Sequence, residues 1–159
     1  MAPESLTFNR AAKITIMAIS SKHTDVRETN PLRRTLADVR HGLLGLHKAL
    51  IVAEQLTYER IYGRVDSTGQ LLQLVMNDPW FTWLHPLSNM VVRIDELLDG
   101  HDQPTVDDVA MLLTEIRGLI RPSELGDGYE RSYFEALQRA PDVVLAHCEM
   151  KKLLTLPSV

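Results

Sequence analysis

The sequence contains a single cysteine, Cys148, and this scarcity excludes two common kinds of site. One cysteine cannot form a disulfide within the chain, and it cannot supply a zinc or iron–sulfur site that needs several thiolates. The same scarcity fits a reducing compartment, so we expect a cytoplasmic protein. Within the fold, we expect Cys148 to be a small buried apolar residue rather than a reactive thiol.

The sequence also has no excess of positive charge and no long apolar run. Its formal net charge is −4 at pH 7, without the clustered lysines and arginines that contact phosphates, so we expect no nucleic-acid partner. No apolar run approaches the roughly 18–20 residues that a membrane-spanning helix needs, so we expect no membrane partner. Residues 1–30 hold only the short apolar stretch "ITIMAI" and fit a secretory signal poorly. We expect them to form a mostly disordered, flexible arm.

Several catalytic motifs are missing as well. The sequence has no P-loop, no GxGxxG dinucleotide fingerprint, no GxSxG nucleophile elbow and no zinc-binding His-Glu-x-x-His. These absences exclude the common forms of the corresponding nucleotide-binding enzymes, hydrolases and zinc proteases. They favour a protein without catalytic activity, but they do not decide whether it is an enzyme.

From residue 31 onward the sequence contains a helical apolar pattern. Asn30 is a typical N-cap residue, and Pro31 follows at the first helical position, where its missing N–H costs nothing. Apolar residues then recur at spacings of three and four as far as Tyr62, and Gly63 follows as a stop signal. The pattern predicts one long helix, whose apolar seam consists of Leu36, Val39, Leu43, Leu46, Leu50 and Ala53.

Shorter helical patterns follow, separated by turns that contain proline or glycine. Ser67 and Gln70 have the spacing of a capping box, and "DPWFTWLHPLS" forms a short aromatic insert between two prolines. Further helices are expected after Pro86, after a cap at Thr105 and from about Tyr129. We therefore predict an all-α fold, an antiparallel four-helix-type bundle over residues 31–156 that carries the aromatic insert and the flexible N-terminal arm.

A stripe of polar residues lies beside the apolar seam of the long helix. His47, Glu54 and Tyr58 follow one another at spacings of seven and four, so they share one face of that helix. Asp95 and His147 lie beside the apolar faces of two later helices. Neutral imidazole and ionised carboxylate bind iron, manganese or zinc, so these five residues are candidates for a divalent-metal or small-ligand site.

The spacing of these residues departs from known helical metal sites. Di-iron bundle proteins place a glutamate three residues before a histidine, and no histidine in this sequence has one. The hemerythrin pattern needs a glutamate four residues after a histidine, where this sequence has Ile51 and Lys151. We therefore favour His47 and His147 as hydrogen-bonded residues at the core edge, and Glu54 as a solvated carboxylate beside a tyrosine at the rim. Metal binding stays open as the alternative.

Two other groups of residues indicate contact with another surface. The first is a ridge of small residues on the long helix, Gly42, Gly45, Ala49 and Ala53. A glycine inside a helix costs up to about 1 kcal/mol relative to alanine, which indicates a closely approaching helix. That helix could belong to the same chain, which we favour, or to a second copy. The second group, typical of an interface, a ligand mouth or an apolar plug, is Trp80, Phe81 and Trp83.

Three stretches of the sequence resemble a family of short uncharacterised helical-bundle proteins from proteobacteria. They are "GLHKALIVAEQLTYERIYGRV", "LLQLVMNDPWFTWLHPLSNMVVRIDELLDG" and "DVVLAH". The resemblance covers most of the chain from about residue 31 and implies a bacterial source, but it implies no function. In outline, a four-helix bundle is also similar to hemerythrin-like and DinB-like metal proteins, whose ligand patterns this sequence does not reproduce.

Two functions follow from these patterns. The favoured one is a non-catalytic binding or self-association module, with a second copy of the chain or another protein as partner, through the small-residue ridge or the aromatic insert. The alternative is a metal- or small-ligand-binding bundle built on the interior histidines and carboxylates. The first predicts assembly that changes with Gly45 or Trp83, whereas the second predicts a bound ion that is lost with His47 or His147.

Overall fold

The computed structural model describes residues 30–155, and these residues form helices joined by short loops. The prediction of an all-α fold is confirmed for this span, which contains no strand. Among residues 30–155, no helix combines the length and the apolar character that a membrane span needs. The arm predicted for residues 1–30 lies, except for Asn30, outside the described residues. The helices are α1 (Pro31–Tyr62), α2 (Thr68–Asn77), a 3-10 helix (Pro79–Leu84), α3 (His85–Asp99), α4 (Val106–Leu119), α5 (Tyr129–Arg139) and α6 (Pro141–Thr155).

The ends of α1 are stabilised as its sequence predicts. The Asn30 side chain accepts a hydrogen bond from the Leu32 amide at 2.9 Å, and Pro31 occupies the first turn. At the other end, Gly63 has φ 96°, a conformation that residues with a side chain rarely adopt. With 32 residues, α1 is about 48 Å long, and it contacts the 3-10 helix, α3, α4, α5 and α6.

The start of α2 has half of the predicted capping box. The Ser67 hydroxyl accepts from the Gln70 amide at 3.1 Å, as expected. The Gln70 side chain, however, accepts from the amide of Asp66 at 2.9 Å rather than from that of Ser67. At α4 the capping box is complete, because Thr105 and Asp108 each bond the other's backbone amide.

Helix α1 is the centre of the core and makes its most extensive contacts with α6 and α3. Moving along α1, Arg40 pairs with Asp95 and His47 with Ser88, so the partners on α3 come in the opposite order. Gly42 contacts Met150 of α6, and Glu54 lies against Arg139, which precedes α6. Both α3 and α6 therefore run antiparallel to α1.

Two glycines of α1 have different surroundings. A Cβ atom at position 42 would lie 2.5 Å from the Met150 sulfur and 2.6 Å from the Leu153 Cδ1 atom, so α6 packs closely against α1 there. Among residues 30–155, nothing beyond its own helix turn lies within 4 Å of a Cβ atom built at position 45. The close helix approach indicated by the small residues thus occurs within the chain at Gly42, while Gly45 faces open space.

The aromatic insert forms the 3-10 helix beside the end of α1. Phe81 is completely buried, and Trp80 and Trp83 are half-buried and pack against the core. The ring of Trp80 lies 6.1 Å from that of Tyr58, and Trp83 lies 5.6 Å from Tyr129. The three rings therefore point into two separate aromatic clusters.

The expectation that Cys148 is buried is wrong, because its thiol side chain is exposed. The buried residues of α6 are Val143, Met150 and Leu154, which share one face of the helix. Cys148 precedes Met150 by two positions, which places it about 200° around the helix, on the opposite face.

Candidate functional site

His47 and Ser88 form a buried pair between α1 and α3. His47 Nε2 and Ser88 Oγ are 3.0 Å apart, and both residues have 0% of their surface exposed. The Ser88 hydroxyl also lies 3.4 Å from the Leu84 carbonyl, to which it donates. Since a hydroxyl has one proton, this network is complete when His47 Nε2 carries a proton and donates it to Ser88.

The His47–Ser88 pair consists of residue types that serve as base and nucleophile in enzymes, but neither side chain is accessible to a substrate. Burial, and secondarily the nearby His85, lowers the pKa of His47 to about 4, so the imidazole is neutral at pH 7. A neutral imidazole can act as a base through its unprotonated nitrogen, but here Nε2 carries the proton that it donates to Ser88, so it is not placed to accept the Ser88 proton. Because neither side chain reaches the surface, the pair has no route to a substrate and serves to join α1 to α3.

Glu54 is paired with Arg139, which lies at the end of α5. Only 5% of the Glu54 surface is exposed, and an Arg139 guanidinium nitrogen donates to its carboxylate. Burial raises the pKa of Glu54, although the charge of Arg139 favours the charged form. The Trp80 indole forms no hydrogen bond of normal geometry with any residue in 30–155. The expectation of a solvated Glu54 is wrong, because Arg139 covers the carboxylate from a helix distant in sequence.

Asp95 and His147 have their own partners on other helices. The Arg40 guanidinium of α1 donates from Nε to Asp95 of α3. His147 of α6 lies with Nδ1 2.6 Å from the hydroxyl of Tyr133 of α5. Burial, and then the charge of Lys151, lowers the pKa of His147.

The five candidates for a metal or small-ligand site are therefore distributed over separate locations. His47 contacts Ser88, while Tyr58 lies among aromatic rings, 4.7 Å from Tyr62 and 5.7 Å from Phe81. Among residues 30–155, no three histidine, cysteine, aspartate or glutamate side chains lie close enough together to hold a metal ion. The structure pairs Glu54, Asp95 and His147 with groups that stabilise helix contacts instead.

The sequence-based selection missed the partners Arg40, Arg139 and Tyr133. Tyr133 had a local signal, since it shares a face of α5 with the buried Ala136. For Arg40 and Arg139 there was none, because each lies among other charged or polar residues that look equally solvated. Only the packing of α1 against α3 and α5 identifies them.

An open groove of about 710 Å³ lies between α3, α4 and the start of α5. Met90 and Leu119 give it an apolar floor, and the ion pair between Arg93 and Glu115 crosses it, with one nitrogen–oxygen distance of 3.0 Å. Tyr129 forms part of its wall. The lining mixes charges of both signs without a convergent set of polar atoms, so it specifies no ligand chemistry.

One face of α1 carries small and apolar residues that are exposed or half-buried within residues 30–155. It consists of Gly45, Ala49, Val52 and Leu56, at spacings of four, three and four, which we call the α1 strip. Val52 is 41% exposed and Leu56 55% exposed, whereas Ala49 is half-buried. Apolar side chains at this spacing are typical of a helix that packs against another helix.

Within residues 30–155, the α1 strip is one of the apolar surfaces that the fold leaves exposed. It belongs to the helix that organises the core, so its geometry is fixed by the packing behind it. No protein-family model, curated protein or solved structure matches the chain.

Proposed function

We propose that the protein is a self-association module in which the α1 strip packs against the α1 strip of a second copy. The observation that carries this proposal is the order of small and large residues. Gly45 and Ala49 are small and occupy one half of the strip, while Val52 and Leu56 are large and occupy the other half. A surface of this kind is complementary to the same surface of a second copy that is rotated by 180°.

The positions of the four residues support an antiparallel pair with two-fold symmetry. Gly45 and Leu56 lie equally far from the midpoint of the strip, and so do Ala49 and Val52. In an antiparallel pair, Gly45 then faces the partner's Leu56, and Ala49 faces the partner's Val52. Each large side chain enters the space above a small one, which is the isologous contact that a two-fold dimer requires.

The open space at Gly45 supports the same arrangement. Because a Cβ atom at this position would meet nothing within 4 Å among residues 30–155, packing within that part of the chain does not explain a glycine there. A glycine in a helix costs about 1 kcal/mol relative to alanine, and contact with the partner's Leu56 would offset that cost. Gly42, in contrast, is explained by Met150 and Leu153 of the same chain.

The expected dimer is weak. The strip spans about 17 Å of helix, so it contributes only part of the roughly 800 Å² per partner that a stable interface buries. We expect a dissociation constant of about 1 μM or higher, with Lys48 and Gln55 at the polar rim. The associating unit in this proposal is the antiparallel four-helix-type bundle with its aromatic insert, in a cytoplasmic protein of bacterial source.

Sedimentation velocity over about 1 μM to 1 mM protein tests the proposal. We expect wild type to pass from monomer to dimer over this range. Gly45→Leu should stay monomeric, because two leucines would then occupy the same space, and its circular dichroism should remain native since position 45 is open. Leu56→Ala should weaken the dimer. The double variant Gly45→Leu with Leu56→Ala should restore association, because the large and small residues have exchanged places.

Met111→Ala is the matched control, since Met111 is 58% exposed on α4, away from the strip. It should leave the dissociation constant unchanged. A monomer at every concentration would contradict the proposal. So would a dimer that is unaffected by Gly45→Leu, or a double variant no better than Gly45→Leu alone, because either result places the interface elsewhere or in another orientation.

A further inference from the structure

Four aromatic rings form a continuous series of ring contacts from the 3-10 helix to α6, which we call the stack, although only Tyr129 and Tyr133 lie nearly parallel. The ring centroids of Trp83 and Tyr129 are 5.6 Å apart, those of Tyr129 and Tyr133 are 5.9 Å apart, and those of Tyr133 and His147 are 5.7 Å apart. Trp83 is half-buried and Tyr133 is completely buried. The stack therefore connects a tryptophan that reaches the surface with a phenol in the core.

The inner end of this stack pairs a phenol with a proton acceptor. The Tyr133 hydroxyl is 2.6 Å from His147 Nδ1, the length of a strong hydrogen bond. A neutral imidazole accepts through one ring nitrogen, and burial and Lys151 lower the pKa of His147, which keeps it neutral at pH 7. The Tyr133 hydroxyl can therefore donate its proton to His147.

We propose that Tyr133 and His147 form a redox site, at which a one-electron oxidant draws an electron from Tyr133 through Trp83 while the phenolic proton moves to His147 Nδ1. The oxidant belongs to the class of strong one-electron acceptors, such as a peroxyl radical or a ruthenium(III) complex, and it is reduced by one electron. The O–H bond of Tyr133 breaks and an N–H bond forms at Nδ1. The products are a neutral tyrosyl radical and an imidazolium, and re-reduction by one electron returns the proton to the phenol.

The contrast between two neighbouring tyrosines supports Tyr133 as the oxidised residue. The Tyr129 hydroxyl is buried and has no hydrogen-bond partner among residues 30–155, so its proton would have no acceptor if the ring lost an electron. Burial raises the pKa of Tyr133, which disfavours a phenolate before oxidation. Oxidation of Tyr133 is therefore coupled to transfer of its proton, and His147 is the only group bonded to its hydroxyl in the described part of the chain.

The test is flash oxidation of the purified protein with a ruthenium(II) tris-bipyridine complex and a sacrificial quencher, followed by electron paramagnetic resonance of the frozen product. The background variant is Cys148→Ser with Tyr62→Phe, since the exposed Cys148 thiol and the exposed Tyr62 are oxidised directly. We expect a tyrosyl signal in this background. Tyr133→Phe should reduce it at least tenfold, whereas Tyr129→Phe, which removes a hydroxyl from the same stack, should retain it.

Two further measurements test the roles of His147 and Trp83. Formation of the radical should be slower in D₂O than in H₂O, and His147→Phe should shorten its lifetime at least tenfold, because the proton then has no acceptor. Trp83→Phe should slow its formation. An equal signal in Tyr133→Phe would overturn the proposal, as would a radical whose rate and lifetime are unchanged in His147→Phe. Circular dichroism of each variant shows whether the fold is retained. If His147→Phe unfolds, the comparison of the tyrosyl signal in Tyr133→Phe and Tyr129→Phe still tests whether Tyr133 is the oxidised residue.

Discussion

The complete burial of His47 makes the stability of the protein depend on pH. The pKa of this imidazole is about 4 in the folded state and about 6.5 when the chain is unfolded. Between these values the unfolded state binds more protons than the folded state. The free energy of unfolding should therefore fall as the pH drops from about 6.5 toward 4, by up to about 1.4 kcal/mol per pH unit from this residue.

The variant His47→Gln isolates this contribution. Glutamine can still bond Ser88 but does not titrate, so the difference in stability between wild type and variant should shrink by about 2 kcal/mol from pH 7 to pH 5. Urea unfolding at a series of pH values measures it. Comparing the two proteins is necessary because Glu54, whose pKa is raised, contributes with the opposite sign. Parallel pH profiles for the two proteins would show that His47 does not titrate on unfolding.

The sequence pattern groups these polar residues on one face of α1 but does not indicate their partners. The spacing of His47, Glu54 and Tyr58 placed them together on one face of α1, beside the apolar seam. The residues that complete each contact lie far away in sequence, as Arg139 does from Glu54. A carboxylate that looks solvated in a helical pattern becomes buried when a distant arginine compensates its charge, and no local pattern contains that information.

At the scale of the helices, the contact of α1 with α6 leads us to expect that alanine affects stability differently at two glycines of α1. Gly45→Ala should stabilise the monomer by up to about 1 kcal/mol, because alanine favours the helix and the site is open. Gly42→Ala gains the same propensity but must displace Met150 and Leu153, which costs about 1–3 kcal/mol. We expect Gly42→Ala to be at least about 1 kcal/mol less stable than Gly45→Ala.

Chemical denaturation at low protein concentration, where association does not contribute, compares the two variants. Equal stabilities would mean that α6 does not approach α1 closely at Gly42. No third variant is needed as a control, because both substitutions add one methyl group to a glycine of the same helix, at positions three residues apart.

The helix boundaries were more predictable than the helix contacts. Asn30 with Pro31, and Thr105 with Asp108, are local signals, and the helices begin where these signals stand. Pro141 likewise begins α6 directly after α5, and proline is itself a local signal because it interrupts a continuing helix. Which face of α1 meets α6 depends on volumes such as that of Met150, more than one hundred positions away, so a small-residue ridge could not show which of its glycines is covered.

For the molecule as a whole, the proposed association predicts that thermal stability depends on protein concentration. A dimer of folded chains draws the equilibrium away from unfolded monomers, so the Tm of wild type should rise by a few degrees over an approximately 100-fold increase in concentration. Gly45→Leu should show no such rise. Differential scanning calorimetry measures both, and a wild-type Tm that stays constant would argue against a dimer of folded chains.

The central position of α1 also matters while the chain is being made. Its seam is completed by α6, and the contact between Gly42 and Met150 joins residues about one hundred positions apart. A ribosome that adds ~5–20 residues per second needs ~5–20 s to reach α6 after α1 has been synthesised. During that interval the apolar side of α1 lacks its final cover and is available to chaperones or to neighbouring nascent chains. Among the described helices, the one that organises the finished fold is therefore also the first to be synthesised and the one that waits longest for α6.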